Sequence, residues 1–156
     1  MGEVSVQVCV NGEPRQATVE PRLTLADFVR EQCRLTGTHL GCEHGVCGAC
    51  TVRLDSAAVR ACLVFAVQAD GCDVTTIEGI ADNDGALSPV QQAFRDCHGL
   101  QCGFCTPGFV LSVTAFLRDN PNPTDEQIRE GLSGNLCRCT GYQGILAAVR
   151  QAAGVR

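Results

Sequence analysis

An α+β fold is predicted, with strands confined to the first half of the chain and helices filling the second. Three features carry that reading. Val4, Val6, Val8 and Val10 alternate with polar residues or Cys9, the period of a half-buried strand. The periodicity changes after Gly79–Leu87, a polar, glycine-containing stretch. Beyond it, Ser88-Pro89, Thr106-Pro107 and Thr124 are helix-start signals.

In order along the chain, Asn11-Gly12 after the first strand predicts a tight hairpin, with Arg15–Val19 returning. Thr24 caps a short helix, with Asp27 three residues on and Leu25, Phe28 and Val29 as its apolar face. Regular periodicity vanishes from Thr36 to Cys50. Strands are then expected at Thr51–Leu54, Val59–Val64 and Val74–Ile77. In the second half, one helix starts at Ser88-Pro89 and stops near Gly99. A second, opened by Thr106-Pro107 and ended by Asn120-Pro121, presents Phe109, Val110, Val113, Phe116 and Leu117. Thr124 with Gln127 is a capping box for a third, ended by Ser133-Gly134, and Gly144–Ala152 is a fourth with Ile145, Leu146 and Val149 on one side. Four short helices suit a compact bundle. The expected domains are residues 1–78 and 88–156, joined by a linker at 79–87.

A net charge of −5, scarce aromatics and the absence of Trp argue against a nucleic-acid surface. No Ser/His/Asp arrangement, carboxylate pair or phosphate-binding loop stands out, so hydrolysis and phosphoryl transfer have no support. The longest apolar run, Ala61–Val67, is too short to span a bilayer. Twelve cysteines in 156 residues is the outlying number. Met1–Val10 carries neither a basic start nor a long apolar stretch, so a cytoplasmic location is expected, where clustered thiols bind metal rather than form disulfides.

Cys42, Cys47 and Cys50 are spaced C-x4-C-x2-C, with Cys62 further on, the plant-type [2Fe–2S] pattern. Glycines at 41, 45 and 48 let the main chain wrap closely around an anionic cluster. Zinc fits less well, because four-cysteine zinc sites often use two close pairs and only Cys47/Cys50 forms one here. A Rieske-type centre needs two histidines, and His39 and His44 read as polar loop residues. Cys102/Cys105 with Cys137/Cys139 is a less generic set. On spacing alone, zinc remains a fair competitor there. Arg138 stands between two of these cysteines, where its charge would offset that of a cluster, although a solvated side chain is the simpler expectation. Cys9, Cys33, Cys72 and Cys97 read as small buried hydrophobes, Cys97 being close enough to Cys102 to act as a decoy ligand.

The segments GCEHGVCGACTV, TTIEGI, LQCGFCTPGF and GNLCRCTGY, in that order, resemble the small iron–sulfur subunit of the molybdenum hydroxylase (xanthine dehydrogenase/aldehyde oxidase) family, over nearly the whole chain from Val4 to about Val149. The resemblance implies an N-terminal β-grasp, plant-type ferredoxin-like domain followed by an all-α four-helix domain, each holding one [2Fe–2S] cluster. It implies electron transfer from a molybdopterin cofactor (as its cytosine dinucleotide) on a large subunit, through the Cys102, Cys105, Cys137 and Cys139 cluster, then the Cys42, Cys47, Cys50 and Cys62 cluster, to FAD on a medium subunit. It further implies that Gln101 and Cys139 contact the molybdopterin, and that such heterotrimers pair. CEHGVCGAC looks more like members with a flavin subunit. Leu54-Asp55-Ser56 departs from the family, where Gly generally follows the Asp, and is expected to alter a surface turn only. Two rival functions are a free-standing ferredoxin-type carrier and a zinc-binding interaction module.

Overall fold

The computed structural model describes residues 2–81 and 84–155, so Asp82 and Asn83 of the expected linker lie outside the described residues. Strands β1 (Val4–Val10) and β2 (Glu13–Val19) form the expected antiparallel hairpin. Asn11 and Gly12 turn it with φ of 53° and 83°, the left-handed pair such a turn demands. Strands β3 (Thr51–Leu54), β4 (Ala57–Arg60) and β5 (Asp73–Thr75) complete a mixed five-stranded sheet in the order β2-β1-β5-β3-β4. β1 and β5 run parallel at its centre.

The expected strand over Val59–Val64 starts and ends earlier than predicted. Asp55, at φ 50°, reverses the chain so that Leu54 pairs with Ala57, and Ala61–Leu63 is a 3-10 turn that swings Cys62 inward. The last strand also ends sooner, because Ile77–Gly79 coils into another such turn. Ser56 lies in this turn, and its carbonyl accepts from Arg118 Nη1 at 2.6 Å.

Helix α1 (Leu25–Asp27) begins at Thr24, whose hydroxyl accepts the Asp27 N–H at 3.1 Å. It widens at once into a π-turn over Phe28–Gln32, closed by Cys33 N–H to Phe28 C=O at 3.1 Å. Leu25, Phe28 and Val29 are all fully buried against the sheet with Val6, Val8, Val10, Val52 and Val74. Each large side chain there contributes about 1.5–3 kcal/mol by leaving water.

The second half contributes α2 (Pro89–Asp96), α3 (Thr106–Asp119), α4 (Asp125–Gly131) and α5 (Gln143–Ala153). Ser88 and Thr124 cap α2 and α4 with reciprocal Gln91 and Gln127 bonds. α3 differs from the expectation: Cys105 is its N-cap, Thr106 and Pro107 lie inside it, and the buried Thr106 hydroxyl has no partner. A second core gathers Phe94, Phe109, Val110, Val113, Ile128, Leu132, Ile145 and Val149. α3 also packs on β3, which brings the two cysteine-bearing regions together.

Candidate metal centres

The first cysteine loop leaves the π-turn, circles without regular structure and returns as β3. Within it the Cys47 N–H donates to Cys42 Sγ at 3.3 Å. N–H groups of Cys47 and His44 bring the Cys42 thiol down to about 6, because they favour its anion. Cys50 and Cys62 form the inner half of this site, 2% and 9% exposed. Burial, followed by contact with the Cys50 sulfur, pushes the Cys62 thiol up to about 11. The four sulfurs are thus arranged as an outer pair, Cys42 and Cys47, and an inner pair, Cys50 and Cys62.

The second set repeats this arrangement with different chain geometry. Cys102 Sγ and Cys139 Sγ lie 3.4 Å apart, both residues exposed. The Phe104 amide leads in holding the Cys102 thiol below its ordinary value. Cys105 caps α3, and burial followed by contact with Cys137 pushes its thiol up to about 12. For Cys137, burial pushes upward, but the Thr140 hydroxyl at 3.2 Å and nearby amides outweigh it and bring the thiol down. The Cys137 N–H donates to Tyr142 Oη at 3.0 Å. Tyr142 itself stands at φ 66° in front of α5, its ring edge-on to Phe109 at 6.3 Å.

A [2Fe–2S] cluster takes four thiolates, two on each iron. Each set meets that demand as two contacting pairs, Cys42/Cys47 with Cys50/Cys62, and Cys102/Cys139 with Cys105/Cys137. Among the described residues, no three Cys, His, Asp or Glu side chains gather as tightly as a single metal ion requires. Both loop histidines are engaged through Nδ1 with carbonyls, His44 with Cys42 at 2.6 Å and His39 with Phe104 at 2.7 Å. The residues fit a pair of all-thiolate clusters.

Gln101 and Arg138 are exposed beside the outer pair of the second site. Cys97 is not drawn into it, since its thiol donates to Gln151 Oε1 at 3.1 Å. Cys33 is buried, as expected of a small hydrophobe, whereas Cys9, Cys72 and Cys97 are only partly so. Sequence reasoning missed His39, which stacks on Phe104 at 4.8 Å and so ties the two loops together. Arg60 was also missed; it reaches Thr51 Oγ1 at 2.6 Å and the Gly134 carbonyl at 2.5 Å. Neither carries a local signal, because Phe104 and Gly134 are 65 and 74 positions away.

Residues 8–71 match the 2Fe-2S iron-sulfur cluster binding domain, and residues 76–150 match the [2Fe-2S] binding domain. Two cysteine sites on two such domains define a two-cluster iron–sulfur protein. The chain is 57% identical to the nicotine 6-hydroxylase small subunit of Paenarthrobacter nicotinovorans, over 97% of this chain and 90% of that one. It is 51% identical to the caffeine dehydrogenase subunit gamma of a Pseudomonas strain, over 93% and 88%. Quinoline 2-oxidoreductase from Pseudomonas putida 86 contains a chain of the same fold, with a TM-score of 0.93, 46% identity and coverage of 99% and 96%. This chain belongs to the small iron–sulfur subunits of the molybdenum hydroxylase (xanthine dehydrogenase/aldehyde oxidase) family, and is a subunit of an oxidoreductase complex. No helix among the described residues is long and apolar enough to cross a membrane.

Proposed function

We propose that the chain carries electrons within a molybdenum hydroxylase, between a molybdopterin-binding large subunit and an FAD-binding medium subunit. Cys42, Cys47, Cys50 and Cys62 hold one [2Fe–2S] cluster in a β-grasp domain (1–78), and Cys102, Cys105, Cys137 and Cys139 hold the other in a four-helix domain (88–156). The observation that carries this reading is the gathering of eight cysteines into two sets of two contacting pairs. When bound, each cluster accepts and releases one electron. The protein's part is to fix the thiolates, donate N–H bonds to sulfur and set the degree of exposure, which together tune the potentials.

The two ends of the second site differ in the way such a role requires. Cys105 and Cys137 face the helical core, whereas Cys102 and Cys139 reach the surface beside Gln101. The exposure of Gln101 and Cys139 supports the contact with the molybdopterin of the large subunit that the family resemblance implies for them. The complex is a cytoplasmic pair of heterotrimers. Nicotine, caffeine and quinoline, named in three relatives, are all N-heterocycles, which supports that substrate class for the complex.

The purified complex should contain molybdenum, flavin and two iron–sulfur centres with separate EPR signals after reduction. Cys139→Ser should alter one signal and spare the other. Gln101→Ala should keep both signals and slow reduction of the centres by substrate. Zinc in place of iron would sink the assignment.

A further inference from the structure

Asn135 is the residue of the Gly134–Leu136 segment that is out of water, at 3% exposure, with both neighbours exposed. Burying a primary amide is costly unless its polar atoms find partners. Its Nδ2 donates to the Gly48 carbonyl at 3.2 Å, and its Oδ1 accepts from Ser112 Oγ at 3.0 Å and Arg60 Nη2 at 3.3 Å. Gly48 lies between Cys47 and Cys50, and Arg60 lies two residues before Cys62. Ser112 is on α3, the helix that Cys105 caps, and Asn135 is two residues before Cys137. One side chain therefore ties together the segments that carry cysteines of both sites. Beside it the Leu136 N–H donates to the Cys47 carbonyl at 2.9 Å, so that a single peptide hydrogen bond joins Cys47 to the residue preceding Cys137. Gly48, at φ 73°, admits this approach: a Cβ there would stand 2.6 Å from Asn135 Nδ2 and from the Gly134 carbonyl.

We propose that Asn135 is a positioning residue that locks the two cysteine loops in one fixed relation, with the Leu136 N–H to Cys47 C=O bond as the link between the sites. The proposal rests on the two-cluster reading above. With both clusters bound, this hydrogen bond would lie on the shortest connection between the Cys47 and Cys137 segments, along which a single electron would pass from one cluster to the other with no proton or atom moved. Replacing Asn135 leaves every cysteine in place but frees the loops to shift against each other. A donor lost opposite the Gly48 carbonyl, as in Asn135→Asp, also sets a carboxylate against that oxygen.

The test uses the full chain purified with its iron, as wild type, Asn135→Ala, Asn135→Asp and the milder Ser112→Ala. Iron and sulfide content, the spin–spin splitting of the fully reduced EPR spectrum, and hydrogen exchange across residues 134–137 are measured together. Both individual signals are expected to persist, with the splitting changed and exchange faster by about tenfold in the Asn135 variants. Ser112→Ala should move both readouts in the same direction by less. Faster exchange with an unchanged splitting would reduce Asn135 to local packing and overturn the proposal, as would wild-type values for both. Should the Asn135 variants fail to fold, Ser112→Ala decides by the same criteria. Wild-type protein without iron would remove the two-cluster reading, and the lock would then be decided by exchange alone: acceleration in the Asn135 variants that extends to residues 47–50 keeps it, and acceleration confined to 134–137 overturns it.

Discussion

Gly108→Ala sets two effects of opposite sign against each other, and the structure says which prevails. Gly108 lies near the start of α3, where alanine is favoured over glycine by about 1 kcal/mol. A Cβ there, however, would run into the Gly48 carbonyl oxygen and stand 3.0 Å from the Ala49 oxygen and 3.1 Å from Ala49 Cα. These are backbone atoms of the Cys47–Cys50 turn, so no side chain can rotate aside. Either α3 or the turn must retreat by about 1 Å, which in a close-packed interface costs about 1–3 kcal/mol and strains the bonds from Asn135 and Leu136. The clash acts in the folded state alone and removes packing across a whole helix face, so it outweighs the propensity gain. We expect a net loss of about 1–2 kcal/mol, or a Tm lower by roughly 3–6 °C for a chain of this size. Thermal melts of the cluster-loaded protein, followed by helicity and by cluster absorbance, check it. A Tm equal to or above wild type would refute the close approach of α3 to the first cysteine loop.

Three other outcomes follow from named contacts. Tyr142→Phe leaves the Cys137 N–H without its acceptor and should lower stability by about 1 kcal/mol, read as a lower urea midpoint with an unchanged slope; an unchanged midpoint would mean that this bond contributes nothing. Cys97→Ser should preserve iron content and both reduced EPR signals, because that thiol is hydrogen-bonded to Gln151; loss of either signal would make Cys97 a ligand. In the chain stripped of iron, Cys42, lowered to about 6, should be alkylated before Cys62, raised to about 11, and Cys105, raised to about 12. The shift is downward, so Cys42 stays a thiolate at pH 7 and its reactivity should fall only as pH drops through about 6. Mass spectrometry of the tagged peptides reads the order.

Local chemistry made much of this molecule legible in its sequence. Asn11-Gly12 dictates its own turn, Ser88 and Thr124 each satisfy helix ends within three residues, and the cysteine spacings are properties of short segments. What escaped was decided by contacts between distant segments. Phe28 and Val29 are buried as their apolar character predicts, but the widening of the helix into a π-turn after Asp27 has no local signal. Thr106 has the chemistry of an N-cap but follows the residue that caps, Cys105, whose side chain makes no capping bond. Asn135 bonds a partner 87 positions away and looks like any polar loop residue when read alone. Cysteine spacing reveals which residues can share a site, but leaves undetermined how the two sites face each other.

The parallel pairing of β1 with β5 sets a timetable for synthesis. β1 is an interior strand, yet one of its two neighbours is made only after Cys42, Cys47, Cys50 and Cys62 have all emerged. Closing that long intervening segment is an entropic step that local structure alone cannot drive. The growing chain therefore waits as a hairpin with an open flank until Asp73–Thr75 arrives, so the segment with Cys42, Cys47, Cys50 and Cys62 is complete before the sheet beside it can close. The second half waits as well, because α2 packs chiefly on α5, the last helix made, and Cys102 and Cys105 are separated from Cys137 and Cys139 by α3 and α4.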